Sequence, residues 1–319
     1  MIAESDVSIL IPTYKYRDKV VRAVESALSS GAGEIIVTDD QSRDGTMERL
    51  AHFSDPRLIL RENERNLGLW ENHLHALSLA TRRWIKFIQA DDYLLPGGLA
   101  TFTAAVDSGV TVVYGAPTLC DDATGEISYM NRVDAPLRLQ PSQIQRAFLP
   151  AGWILGTPSH MMIRADAIER DPAAWRTRIS ADLVVGAIAA ARGDTVLLPP
   201  GAIGPGVHPL QDAKTQNSEL GLERVVASLA YLRRRPEPGL RWLANMWAWL
   251  QLGSVLRTTA KGLVYRQGRP LHLAAYPARL LGDLSWRDWK ELAANRALVD
   301  EAARYRARRL STHRIEDLI

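Results

Sequence analysis

At 319 residues, 46% hydrophobic and 24% charged, the chain has the composition of a soluble globular protein with room for one large domain or two ordinary ones. A single cysteine, Cys120, excludes an intramolecular disulfide and makes a reducing cytoplasm the expected setting. The net charge of +3 hides an asymmetry: residues 221–319 carry 18 Lys/Arg against 9 Asp/Glu, whereas residues 1–220 carry 21 against 27. Because the basic residues are dispersed and no DNA- or RNA-binding motif accompanies them, no nucleic-acid partner is expected. The opening MIAESDVSILIPTYK has acidic residues before its apolar run and no basic leader, so it reads as a first strand and no export is expected. No window approaches 18 uninterrupted apolar residues, which argues against a spanning helix.

Short apolar runs then alternate with amphipathic ones, the pattern of strands joined by crossover helices in a mostly parallel sheet. VSILI (7–11) is the first strand, and residues 19–30 place Val20, Val21, Val24, Ala27 and Leu28 on one helical face. EIIVT (34–38), a short helix over 46–53, RLIL (57–60), a helix over 69–80 and WIKFI (84–88) follow. After Pro96-Gly97-Gly98 comes a helix near 99–107 and the strand TVVYG (111–115). DDATGE (121–126) reads as the turn of a hairpin, which makes the sheet mixed. Helices over 141–148 and 181–191 flank a strand at 160–164, TVLLP (195–199) is the last strand, and the stretch GAIGPGVHP is loop. From about residue 218 the pattern is helical, broken at RRRPEPG and near Gly268-Pro270 and Pro277. The expected division is therefore 1–217, with 1–100 and 101–217 as its two halves, and a helical region over 218–319.

In open α/β sheets ligands bind beyond the carboxyl ends of the strands. Three such ends carry informative residues: Pro12-Thr13-Tyr14, Asp39-Asp40-Gln41-Ser42 running to Asp44-Gly45-Thr46, and Gln89-Ala90-Asp91-Asp92. A carboxylate at the second end can accept a hydrogen bond from a base or ribose, and Tyr14 offers a stacking face, so together they suggest a nucleoside pocket. Asp91 and Asp92 can hold a hard divalent cation, Mg2+ or Mn2+, which neutralises a diphosphate leaving group. Each acid also has an ordinary reading as a helix cap or turn residue. Neither GxGxxG after the first strand nor GxxxxGK[ST] is present, which excludes a Rossmann dehydrogenase and a P-loop enzyme. A sugar nucleotidyltransferase would be expected to carry a Gly-rich, basic first loop where this chain has PTYKYRDK.

These segments, VSILIPTYK, EIIVTDDQSRDGT and NLGLWENHLHALSLATRRWIKFIQADD, resemble the family 2 inverting glycosyltransferases with the GT-A nucleotide-diphospho-sugar transferase fold over roughly residues 6–100. The resemblance implies a mostly parallel mixed sheet flanked by helices, here with a helical C-terminal extension. It also implies that Tyr14 stacks on the nucleobase, Asp40 reads its edge, Pro12 and Thr13 line the pocket, and Asn66, Gly68 and Asn72 lie near the donor. Asp91 is the implied metal ligand, with Gln89, in place of an acid, and Ala90 beside the donor; Asp92 is the residue that could compensate. GWILGTPSHMMIRADAI resembles the acceptor-side segment. In RISADLVVG the usual Glu-Asp pair is Ala181-Asp182, which makes Asp182 the implied catalytic base; its ordinary reading is a helix N-cap. His208, in GVHPLQDAKTQN, resembles a residue that closes over the diphosphate and ligates metal or contacts phosphate, and its ordinary reading is a solvated loop histidine.

The expected activity is transfer of a sugar from a nucleotide-diphosphate donor, UDP-linked, to a hydroxyl of a glycan or lipid-linked acceptor in cell-surface polysaccharide synthesis. The alternative is a catalytically weak subunit of the same fold that binds partners within a glycan-assembly complex. Five tryptophans (242, 247, 249, 286 and 289) lie among the excess arginines of the tail. Such helices either rest on anionic lipid, placing the protein at the inner face of the membrane, or pack a helical subdomain or a homo-oligomer interface.

Overall fold

The computed structural model describes residues 1–120, 127–129, 132–151, 154–177, 181–204, 218–250 and 284–307. Its framework is an eight-stranded sheet, built from β1 (Val7–Thr13), β2 (Glu34–Asp39), β3 (Leu58–Glu62), β4 (Trp84–Phe87), β6 (Val110–Gly115), β9 (Leu137–Leu139), β10 (Met161–Arg164) and β11 (Asp194–Leu198), in the order β3-β2-β1-β4-β10-β6-β11-β9. The first four strands are parallel, β10 runs antiparallel between β4 and β6, and β9 closes the edge antiparallel to β11. This is the mixed, mostly parallel sheet expected of the GT-A fold.

Both faces of the sheet are buried, which is why its strands read as near-continuous apolar runs. Alternate residues supply the two cores. Leu10, Ile36, Ile85 and Phe87 face one apolar cluster with α3 (Leu69–Leu79), α5 (Pro141–Ala151) and α7 (Ala181–Ala191). Ile9, Ile11, Ile35, Val37 and Trp84 face the other, with α1 (Lys19–Leu28) and α4 (Gly98–Ala104). Each fully buried Ile or Leu contributes about 1.5–3 kcal/mol, so the sheet is the most costly part of the molecule to disturb.

Chain order places the functional edge. From β1 the chain moves outward through β2 and β3, then returns to place β4 on the other side of β1. The carboxyl ends of β2, β1 and β4 therefore lie side by side at one edge of the sheet, the edge at which ligands bind in open α/β folds.

Three short elements have no sequence signal. β5 (Tyr93–Leu94) pairs with β12 (Ile203–Gly204), inside the stretch read as loop, and β9 borders the sheet. Pairings of two or three residues leave no period to detect. Helix α2 (Thr46–Leu50) ends earlier than its expected 46–53. The hairpin strands β7 (Thr118–Cys120) and β8 (Ile127–Tyr129) are present, while their turn lies outside the described residues.

Helix α8 (Ser218–Arg233) and the helical residues 240–250, 286–294 and 296–307 continue the first core rather than forming one of their own. Leu229, Leu232, Leu243, Trp247, Leu292 and Val299 belong to the same apolar cluster as Val184 and Ile188. Among the described residues no helix is long and apolar enough to cross a membrane. An ion quartet adds to the junction: Arg192 and Arg235 each reach both Glu169 and Glu237, at 2.8–3.0 Å. Burial opposes the charge on Glu237, but hydrogen bonds from Arg235 and Arg192 outweigh it and hold its carboxyl at about 2. A carboxylate depressed in the folded state adds stability above its unfolded pKa and loses it as pH falls. The Glu237 contribution should thus be complete above about pH 4.5 and vanish towards pH 2. Glu237→Gln should cost roughly 1–3 kcal/mol in urea unfolding at pH 7 and much less near pH 3.

Candidate active site

The carboxyl ends of β2, β1 and β4 are neighbours at one edge of the sheet, and a hydrogen bond joins the loops that follow β1 and β2. Asp39, buried at the end of β2, accepts from the backbone N–H and hydroxyl of Ser42, and the Ser42 hydroxyl in turn accepts the Lys15 N–H at 2.7 Å. Burial raises the Asp39 carboxyl above its ordinary value despite the Ser42 bonds, with Asp44 and Asp40 adding repulsion. Asp40 is only 2% exposed. Its two oxygens accept from the Leu67 N–H (2.7 Å), the Gly68 N–H (2.8 Å) and the Asn63 amide (2.8 Å). Asn66 donates to the Asp40 carbonyl.

Asn72 is buried as well. Its amide donates to the Thr38 and Thr13 carbonyls, while its oxygen accepts from Asn63. The side-chain bonds of Asp40 and Asn72 thus run within the protein, joining the strand ends to the start of α3, and the geometry gives both a positioning part. Pro12 and Thr13 are buried at the end of β1, and the Thr13 hydroxyl has no protein partner, a cost that a ligand group could relieve. Tyr14 is exposed, with the Lys15 ammonium 5.1 Å from its ring centre.

Backbone strain concentrates at the loops around this site. Among the described residues, Lys15, Gln41, Arg43, Leu155 and Thr157 are the non-glycine positions with left-handed φ, between 53° and 65°. Such conformations cost about 1–3 kcal/mol each and persist where the surroundings over-determine them. Gly68, at φ 91° and ψ 165°, occupies a region open essentially to glycine alone, and this bend aims its N–H at Asp40.

On the other wall stands Asp182, in the first turn of α7 and 8% exposed. Burial lifts its carboxyl to about 6, against the lowering effect of N–H groups from Thr157 (2.8 Å) and Leu183 (2.9 Å). The bond to Leu183 retains part of the helix-start role, but the Thr157 contact comes from a different segment. Gly186 lets α7 lie against that segment, since a Cβ there would sit 2.7 Å from the Leu155 carbonyl oxygen. Tyr114, at the end of β6, interacts with both Thr157 and Asp182, and burial holds its phenol well above the ordinary value. Thr157 and Tyr114 escaped the sequence reading, although Tyr114 ends a strand and could have been considered there.

Two walls of the site meet through a short strap. Thr157 holds Asp182, and two residues on, the Ser159 hydroxyl accepts the Gln89 N–H at 2.8 Å. Gln89 begins the turn that carries Ala90, Asp91 and Asp92, and its carbonyl accepts the Asp92 N–H at 2.9 Å. Asp91 and Asp92 are half-buried. Among the described residues no three or more His, Cys, Asp or Glu side chains cluster to form a metal cage. Two adjacent carboxylates nevertheless fit Mg2+ or Mn2+, which takes its remaining ligands from diphosphate oxygens and water. His208, the third expected metal residue, lies outside the described residues.

Against known proteins, residues 8–171 match the model of glycosyl transferase family 2, about half of the chain, and the chain belongs to that family. It is 33% identical over 105 residues to the succinoglycan biosynthesis protein ExoO of Rhizobium meliloti, covering 32% of this chain and 30% of that protein. It is 38% identical over 89 residues to the Escherichia coli UDP-Glc:alpha-D-GlcNAc-diphosphoundecaprenol beta-1,3-glucosyltransferase WfaP, covering 27% of this chain and 36% of that one. The matched segment thus spans about a third of the length of these relatives. In three dimensions the chain is similar to Staphylococcus aureus TarS 1–349 in complex with UDP-GlcNAc, with a TM-score of 0.67 at 15% identity, over 94% of this chain and 90% of that one. It also resembles the mannosyltransferase PcManGT of Pyrobaculum calidifontis in complex with GDP-Man and Mn2+, with a TM-score of 0.50 at 16% identity, over 95% and 87% of the two chains. These likenesses establish the GT-A fold.

Replacing Gly68 tests how much the fold depends on this bend. Since the space beside Gly68 is open to 3.8 Å, Gly68→Ala introduces backbone strain without a clash. It should destabilise the fold by about 1–3 kcal/mol in urea unfolding.

Proposed function

We propose that the chain is an inverting glycosyltransferase that moves a sugar from a nucleotide-diphosphate donor, UDP-linked, to a hydroxyl of a lipid-linked or growing glycan in cell-surface polysaccharide synthesis. The observation that carries this reading is the pairing of a buried carboxylate of raised pKa, Asp182, with the acidic turn Asp91-Asp92 at opposite ends of one strap. Donor recognition falls to Pro12, Thr13 and Tyr14 on one side and to the Asp91 turn on the other, with Asp40, Asn66, Gly68 and Asn72 holding the pocket in shape. The donor in the TarS complex and the diphosphoundecaprenol in the name of WfaP support the donor and acceptor classes.

Inversion requires the acceptor hydroxyl to attack the anomeric carbon on the face opposite the departing diphosphate, losing its proton to a base as it does so. Asp182 suits that role, because a carboxylate at about 6 is ionised at neutral pH yet far more basic than an exposed one. The Thr157 and Leu183 N–H groups hold one carboxylate oxygen each, and the acceptor hydroxyl would meet a remaining lone pair of one of them. Mg2+ or Mn2+ held by Asp91 and Asp92 would neutralise the charge that builds on the diphosphate.

The tail tryptophans divide into two groups, which favours a contribution from both readings of that region. Trp242, Trp247 and Trp249 pack in or against the main core and Trp289 meets Trp249 edge-on at 6.1 Å, while Trp286 is 75% exposed beside Lys290. Trp286 suits a peripheral contact with anionic lipid, where a lipid-linked acceptor would be found.

Asp182→Asn should lower kcat by roughly 10^2 to 10^4 while nucleotide binding survives. In the unaltered enzyme kcat/KM should fall as pH drops below about 6, because protonation removes the base. Turnover that is retained in the variant takes Asp182 out of the mechanism. Calorimetry of UDP binding with and without Mn2+ tests the acidic turn: Asp91→Ala should abolish the gain that the metal confers, and equal UDP affinity with and without Mn2+ in the unaltered protein counts against the metal assignment.

A further inference from the structure

His73 lies in α3 behind the acidic turn, with no exposed surface. The rings of Trp70, Phe87 and Trp175 surround it, with centres 4.9, 5.3 and 6.5 Å away. Its Nδ1 is 2.6 Å from the Leu69 carbonyl oxygen. A carbonyl can only accept, so Nδ1 carries the proton. Burial pushes the imidazole down to about 4, against the smaller effects of Leu69 and Gln89, so the ring is neutral at neutral pH. Its Nε2 therefore presents a bare lone pair, and the atom placed 3.2 Å from it is the side-chain oxygen of Gln89. Only an N–H can meet that lone pair. The amide must turn its NH2 toward His73 and its oxygen away, an orientation chosen by the hydrogen-bond network because the two atoms have nearly the same shape.

Gln89 is thus bound at every polar group that has a partner here. Its side chain reaches α3, its N–H the Ser159 hydroxyl and its carbonyl the Asp92 N–H. We propose that Gln89 is a positioning residue that, with His73, forms a neutral hydrogen-bonded joint fixing the turn of Asp91 and Asp92 between α3 and the strap that holds Asp182. The inference rests on the donor-site reading of that turn. It explains why an amide stands where an acid would serve a metal: a carboxylate at 89 would set acceptor against acceptor inside an aromatic nest, and the site would have to take up a proton to relieve it. Gln89 is then the residue that His73 requires, not a weakened ligand.

The two views of Gln89 predict opposite signs for one substitution. Gln89→Glu keeps the length of the side chain and removes the donor, and His73→Phe keeps a ring and removes the acceptor. Each should weaken UDP binding in the presence of Mn2+ by roughly tenfold, and the double variant should be no weaker than the worse single one. Tighter or unchanged UDP binding in Gln89→Glu overturns the proposal, as does simple additivity. Nitrogen-15 NMR of the unaltered protein supplies a measurement independent of variant folding. It should show His73 protonated at Nδ1 and bare at Nε2 between pH 6 and 8, and a protonated Nε2 overturns the joint. If the unaltered protein binds no nucleotide, the donor-site reading fails, while the nitrogen-15 spectrum still decides the joint.

Discussion

The rest of the site depends on the short segment Leu155–Ser159, which joins two walls that the topology would otherwise leave independent. The acidic turn follows β4, in the parallel half of the sheet, whereas Asp182 begins a helix packed on the other half. Left-handed backbone at Leu155 and Thr157 turns the Thr157 N–H onto Asp182, and two residues later Ser159 meets Gln89. Strain of this kind is stable only in a rigid setting. The buried sheet, the close approach at Gly186 and the interaction of Tyr114 with Thr157 supply it.

Electrostatics follow from the same packing. A carboxylate in water is too weak a base for the proposed chemistry and an unpartnered buried one is too costly. Asp182 lies between these extremes, raised by burial and kept ionisable by two N–H groups. Behind the acidic turn the opposite solution holds: His73 and Gln89 meet as neutral partners in a space too apolar for charge.

Much of this was legible in the sequence because it has a period or a motif. VSILI, EIIVT and WIKFI are buried on both faces and so announce themselves, and acids that follow the last two mark their strand ends. What stayed hidden were relations between distant residues. Asp40 and Asn72 were identified as site residues, yet their hydrogen bonds to Leu67, Gly68, Asn63 and Thr38 cannot be read from spacing. Gln89 stood out as a departure, while its reason, His73, lies 16 residues away with no local signal. Thr157 and Tyr114 were missed because a backbone N–H and a phenol at a strand end resemble ordinary core, and two-residue pairings such as Tyr93–Leu94 with Ile203–Gly204 leave no pattern.

The central claim is that the two walls form one donor-cleaving site. It is tested most directly by incubating the purified chain with a panel of nucleotide sugars and Mn2+ and measuring release of free nucleotide. The account predicts slow, metal-stimulated release from a UDP-sugar, accelerated by a suitable glycan or lipid-linked acceptor. Release from none of the donors, by a protein that still binds UDP, would contradict it and leave a nucleotide-binding subunit of the same fold in its place.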